Sequence, residues 1–164
     1  PLGMENKRIP NGAIRVSSQW DRNHGPANAR LNKRKQGRRI GAWSSRAINL
    51  KQWIQVDFRR LTTVRWIATQ GRHDLDQWVK SYRVEFGNDG RRFWPYRQGR
   101  LIDLLQVFAG NFDRNTVVTR LFKPAIRARF IRINPRSWYH HISMRLEFYG
   151  RRFGRRKFTE ALSS

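Results

Sequence analysis

The chain contains no cysteine, which removes disulfides and thiolate metal ligands together and leaves packing and hydrogen bonding to hold any fold. Acidic residues are scarce, 11 Asp plus Glu among 164 residues, and only seven of the 35 basic residues are lysine. No apolar run approaches the roughly 20 residues that a membrane-spanning helix needs. Residues 1–10 are too polar for the core of a signal peptide. The expectation is a soluble segment, of the kind excised from a longer secreted protein. A nucleophile elbow, a phosphate-binding loop and a zinc-protease helix signature are all absent. An enzyme reading therefore has no positive support, and binding is the expected role.

What is present is positive charge. A formal net charge of +24 creates a field that concentrates polyanions near the surface. The excess is mostly arginine, whose planar fork grips phosphate, sulfate or carboxylate in bidentate fashion, so oxyanion recognition fits better than diffuse attraction. A chain of this length fits one domain and buries a core without covalent staples.

Short apolar alternation broken by turn residues predicts an all-β domain. Tyr82, Val84 and Phe86 face one side and Arg83 and Glu85 the other, and Asn88-Asp89-Gly90 makes the following turn. Met144, Leu146 and Phe148 likewise alternate with Arg145, Glu147 and Tyr149. Further strands are expected at 52–58, 64–69, 117–122 and 128–133, forming two sheets whose inner faces make the core. Three stretches, 19–28, 33–40 and 72–77, are too polar and irregular for core and are expected as loops, where a rigid β-scaffold carries recognition. The pattern stops at Gly150. Arg151, Arg152, Arg155, Arg156 and Lys157 then form a block of like charge, expected as a mobile basic tail over 151–164 that contacts polyanions and follows a domain over 1–150.

Several ordered segments carry a family likeness: Ser17-Ser18-Gln19-Trp20, Ala29-Arg30-Leu31-Asn32, Gly41-Ala42-Trp43, Trp53-Ile54-Gln55-Val56-Asp57, Thr69-Gln70-Gly71-Arg72, Ala128-Arg129-Phe130-Ile131-Arg132-Ile133 and Met144-Arg145-Leu146-Glu147-Phe148-Tyr149-Gly150. In this order they resemble the discoidin domain, also called the coagulation factor V/VIII type C domain, over residues 1–150. The resemblance implies a discoidin-type jelly-roll β-sandwich or barrel with three loops projecting from one end as spikes that form a ligand-binding rim. Family ligands range over phosphatidylserine membranes, galactose-type sugars, collagen, heparin-like glycans and carboxy-terminal arginine peptides. The last requires an acidic pocket, which Ser45-Arg46-Ala47-Ile48 does not supply. Extracellular members carry a cysteine before the 1–4 region and another after the final Tyr-Gly. Arg151 stands in the second place here, so the terminal disulfide is absent and the extracellular or cell-surface location that the family implies is less secure.

The resemblance turns the loops into candidate sites. The first contributes Trp20, Arg22 and His24, an apolar anchor among cations suited to a membrane interface, although Trp20 also suits packing at the loop base. The second holds Lys33, Arg34, Lys35, Arg38 and Arg39, with Gln36 and Gly37 at its tip. The third adds Arg72, His73 and Leu75. His73 with Asp74 and Asp76 makes a poor metal site, because adjacent residues of an extended chain point to opposite faces. His140 and His141 are expected to be structural. Arg30, Arg129, Arg132 and Arg145 are expected to pair with carboxylates such as Asp57 or Glu147. No metal or cofactor is implied, and a structural calcium has no ligand cluster behind it.

The leading expectation is a non-catalytic adhesion module whose spikes bind an anionic surface, either phosphatidylserine-rich membrane or sulfated glycan. Sequence-independent nucleic-acid binding through the same cations and the tail is the first alternative. A galactose-type lectin and an engineered supercharged scaffold without an evolved ligand complete the set.

Overall fold

Two long strands organise the chain, β3 (Ile54–Gln70) and β7 (Val118–Tyr139). In the computed structural model, which describes residues 1–98 and 105–154, they pair antiparallel with one another along most of their length. Around them lie β1 (Ile14–Val16), β2 (Trp43–Ser44), β4 (Trp78–Gly87), β5 (Trp94–Pro95), β6 (Phe108–Ala109) and β8 (Ser143–Arg152). The ladder runs β2-β8-β3-β7-β4-β5, with β1 added to β3 and β6 to β4. The result is an all-β, curled antiparallel sheet that closes as a half-barrel.

The strand segments expected from alternation are present but joined. Those at 52–58 and 64–69 become one strand, as do those at 117–122 and 128–133. The joint in β3 is a register shift between Asp57 and Thr62. There Arg59 adopts φ 66°, and its N–H is held by Asp57 Oδ1 at 2.7 Å. A bulge of this kind bends a strand without ending it, which is why the two expected sheets share their strands and the hydrogen bonding runs on around the curl.

Inside the curl, Tyr82, Val84, Met144, Leu146 and Phe148 are buried together with Trp43, Ile54, Ile67 and Ile131. An aromatic knot of Tyr96, Phe108 and Phe122, with ring centroids 5.3–5.9 Å apart, fills one side. The outer face of β8 differs from the expected polar surface, because Arg145 and Glu147 are both buried. The N-terminal segment lies over it. Glu147 accepts N–H groups from Gly3, Met4 and Glu5 at 3.0–3.2 Å, and the Leu2 N–H donates to the Phe148 carbonyl at 2.7 Å. A buried carboxylate with this many donors fastens the terminus by hydrogen bonds alone.

The last strand runs on past Gly150, where the expected tail begins. Arg151 and Arg152 continue β8 opposite Thr63 and Thr62, the Arg152 guanidinium donates to the Leu2 carbonyl, and the Phe153 N–H donates to Leu61 at 3.1 Å. These two arginines belong to the sheet because the ladder partners on β3 extend that far. Arg155, Arg156 and Lys157 lie outside the described residues. A chain ending at Gly150 is therefore expected to melt roughly 2–8 °C below one ending at Gly154, the effect of losing hydrogen bonds together worth about 1–2 kcal/mol. Calorimetry of the two truncations checks this, and equal midpoints would restore the shorter boundary.

Candidate functional site

The three polar stretches meet at one end of the barrel. Backbone hydrogen bonds stitch them: Ile40 N–H to the Asn23 carbonyl joins the second stretch to the first, Ser44 N–H to the His24 carbonyl ties the first to β2, and His73 N–H to the carbonyl of Gly41, just after the second, brings in the third, at 3.0–3.1 Å. Side chains add to this. Asp74 accepts the Gly41 N–H at 3.0 Å, and His73 Nδ1 accepts the Lys35 N–H at 3.1 Å. Gly41 is needed for the close approach, since a Cβ there would lie 2.4 Å from the His73 Cβ. His73, half-buried, thus holds the second and third loops together through its backbone and Nδ1.

At the base of the loops sits Arg145, only 1% exposed. Its guanidinium donates to the carbonyls of Gly71, Lys33 and Arg114 and to Asn115 Oδ1, at 2.7–2.8 Å. Burial pulls its pKa down to about 10, with Asp74 opposing the shift. The expected pairing of the family-segment arginines with carboxylates holds for Arg129, which grips Asp57 at 2.9 and 3.0 Å. It fails for the others. Arg145 binds backbone oxygens, Arg30 binds the carbonyls of Met4 and Ile9 and Asn11 Oδ1, and Arg132 binds Gln55 and lies over the rings of Trp53 and Phe93. Carbonyl groups stranded where loops leave a sheet need donors, and a five-donor side chain supplies several at once.

Between the first and third loops opens a cavity of about 330 Å³ lined by Trp20, His24, Ser44, Arg72, Leu75, Gln77 and His141. Trp20 stands at its mouth, 57% exposed, with its ring edge against His141 at 5.7 Å, and so is no packing residue at the loop base. Leu75 is 45% exposed across from it. His24 is half-buried and bonded through Nδ1 to Asp21 at 2.6 Å. That bond and the Asn23 N–H hold the Asp21 carboxyl below its ordinary pKa.

Arg72 departs from the free cation expected of it. It is buried and bidentate to Asp74 at 3.1 Å, with Nη1 on Gln77, so its charge is met within the loop. Burial pushes the Asp74 carboxyl up, but hydrogen bonds from Arg72 and Gly41 outweigh that and leave its pKa below the usual range. His141 was missed as a lining residue because its role is non-local. It is buried, with Nε2 on the Ser45 carbonyl at 2.6 Å.

The second loop is a tight hairpin in which Gln36 and Arg39 exchange backbone hydrogen bonds around Gly37 at φ 61°. Gly37 and Arg38, not Gln36 and Gly37, form the tip. Arg34, Lys35, Arg38 and Arg39 are exposed, and among the described residues no carboxylate lies within ion-pair distance of them. Lys33 is half-buried, and its ammonium pKa is lowered by burial and then by the nearby charges of Lys7, Arg39 and Arg30. Arg22 and Arg39 flank a separate cavity of about 250 Å³.

A fourth stretch, 110–116, escaped the sequence reading. Arg114 Nε donates to Asp76 at 2.6 Å, which docks it on the third loop. It carries Phe112, 66% exposed. An aromatic set among Asn, Asp and Gly turn residues was the available signal.

Comparisons with known proteins agree with this geometry. The family described as the F5/8 type C domain matches residues 13–148. The chain is 40% identical to coagulation factor V of Mus musculus over 157 residues, 92% of this chain and 7% of that protein. It is 35% identical to retinoschisin of Mus musculus over 156 residues, 90% and 66% of the two chains. Among solved structures it is similar to discoidin II from Dictyostelium discoideum, with a TM-score of 0.76 and 32% identity over 84% of this chain and 53% of that one. The chain thus spans less than two thirds of each of these relatives.

The Arg72–Asp74 pair generates a prediction with a defined pH dependence. A carboxyl whose pKa is depressed by folding contributes stability that is fully present above the ordinary value of 3.8 and lost as pH falls through the folded value. Asp74→Asn is expected to cost about 2–4 kcal/mol at pH 7, since it leaves Arg72 buried and uncompensated. The deficit should begin to shrink below pH about 4, where the carboxyl of the unfolded chain takes up its proton, and should vanish only below the depressed folded value. Denaturant titrations at pH 7 and pH 3 measure both, and a deficit independent of pH would mean that the pair is not what Asp74 contributes.

Proposed function

The chain belongs to the F5/8 type C, or discoidin, domain family, whose members are non-catalytic binding modules, and from that premise we propose that its rim docks on an anionic phospholipid surface. The observation that carries the reading is the placement of Trp20 and Leu75, exposed at the mouth of a polar cavity beside a hairpin of uncompensated cations.

Each feature has a separate task at a bilayer. Trp20 is amphipathic and Leu75 apolar, and burying one such side chain contributes roughly 1.5–3 kcal/mol. Arg34, Lys35, Arg38 and Arg39 meet head-group phosphates, at about 1 kcal/mol per cation near an anionic surface. The cavity suits a head group, with the half-buried His24 and Gln77 as polar side chains on its wall. A sulfated glycan would satisfy the hairpin equally but leave Trp20 and Leu75 in water. A nucleic acid would meet the same cations and gain one ring for stacking. Neither uses both tips. An extracellular setting accompanies this reading.

Replacing Trp20 and Leu75 together by serine is expected to weaken binding to phosphatidylserine vesicles at least tenfold at physiological salt, because the apolar surface that would leave water is gone. Affinity for heparin and for DNA should stay within about twofold, since both are governed by charge. Vesicle co-sedimentation and titration calorimetry supply the comparison. A folded double variant that keeps its vesicle affinity would defeat insertion and leave the basic hairpin as the ligand-binding element.

A further inference from the structure

Both ends of β7 lie beside the third loop, Val118 opposite Thr69 and Tyr139 opposite Trp78. Both ends of β3 likewise lie near the rim, since Gln70 precedes the third loop and the Trp53 carbonyl accepts the N–H of Ser17, just before the first. The bends between, near 57–62 on β3 and 122–128 on β7, therefore mark the opposite end of the barrel. Arginines gather there. A cavity of about 190 Å³ is walled by Arg8, Arg59, Arg60 and Arg152, and a second of about 510 Å³ by Arg15, Arg59 and Arg91. Asp57 and Arg59 line both, so the two make one continuous band.

Two carboxylates line this band, and both are committed. Asp57 is gripped by Arg129 and accepts the Arg59 N–H, with the Arg59 side chain a more distant partner at 3.6 Å. Asp89 closes its turn by accepting the N–H groups of Arg91 and Arg92 at 2.8 and 2.9 Å. Among the described residues no carboxylate lies within ion-pair distance of Arg8, Arg15, Arg60, Arg91 or Arg152. Arg152 is held in place by the Leu2 carbonyl, and burial followed by the charges of Arg8 and Arg60 lowers its pKa. Guanidinium groups that line the same cavities are stabilised by oxyanions that contact more than one of them.

We infer that this band is a second binding surface, specific for the sulfate groups of a linear sulfated glycan, on the face of the domain away from the rim. Lipid is disfavoured there because the large apolar side chains lining the band, Ile9, Phe58 and Phe130, are buried, and the exposed Leu61 and Phe153 are not part of its lining. Nucleic acid is disfavoured because guanidinium groups already cover a face of the nearby rings: Arg129 lies over Phe130 at 4.9 Å and Arg127 over Phe153 at 4.8 Å. Sulfates need only the cations. The site itself stands apart from the rim reading; its consequence, a domain that joins a glycan chain at one end to a lipid surface at the other, rests on that reading.

The test uses the full chain with Arg8, Arg60 and Arg91 all changed to glutamate, and heparin as the probe at physiological salt. Heparin affinity is expected to fall at least tenfold while binding to phosphatidylserine vesicles stays within about twofold, as follows when only one of two separate surfaces is altered. Changing the exposed Arg46, Lys51 and Lys80 to glutamate gives the same charge difference elsewhere. An equal fall from that control would show that net charge governs binding and overturn the site, as would a larger fall from reversing three exposed hairpin cations, Lys35, Arg38 and Arg39. Single-stranded DNA that displaces heparin and binds more tightly through the band would overturn the glycan assignment. A set of three glutamines at Arg8, Arg60 and Arg91, with the thermal midpoint measured alongside, guards against misfolding: an unchanged heparin affinity in this folded variant also overturns the site. Failure of the membrane reading appears separately, as vesicle binding indifferent to Trp20 and Leu75.

Discussion

The rim depends on the guanidinium of Arg145. Where three stretches of chain leave the sheet, their carbonyl groups have no strand partner, and Arg145 donates to oxygens of all three: Lys33 in the second loop, Gly71 at the head of the third, and Arg114 with Asn115 in the stretch that docks against it. A buried cation without a bonded carboxylate is costly, and the depressed pKa reflects that cost. Four charge-assisted hydrogen bonds offset it. Cavity, hairpin and exposed tips therefore keep a fixed relation to one another, which a binding surface requires if several weak contacts are to act together.

Two positions along β8, Glu147 does the converse work. Its carboxylate gathers the N–H groups of Gly3, Met4 and Glu5 and fastens the N-terminal segment to the strand. The same face of one strand thus holds a cation for stranded carbonyls and an anion for stranded amides. With no cysteine in the chain, these hydrogen bonds and the extension of β8 to Arg152 do the closing that a covalent bridge would otherwise do.

The charge excess divides by role once the fold is known. Arg30, Arg72, Arg129, Arg132 and Arg145 are engaged with carbonyls, carboxylates and rings within the molecule. The remainder includes two separated groups, the hairpin of the second loop and the band at the far end. A net charge of +24 predicts attraction to polyanions, yet only the separation of these groups makes two distinct surfaces conceivable.

Alternation of apolar and polar residues was enough to identify the β architecture, the turn at Asn88-Asp89-Gly90 and the inward-facing residues of β4 and β8, because side-chain direction along a strand is a local, period-two property of the backbone. Polarity likewise marked the three loops, and the family resemblance placed them together. What local pattern could not supply was which polar residues are covered. Arg145 and Glu147 alternate with core residues as an exposed face would, and they are buried because segments 112 and 144 positions away in the chain lie over them. Arg72 looked like a free cation until its neighbour Asp74 folded back on it, and the 110–116 stretch, His141 and the arginine band emerged only from contacts between distant segments. Burial and ion pairing are set by contacts between distant parts of the chain, so they belong to the tertiary structure, while the strand pattern that makes those contacts available was already present in the sequence.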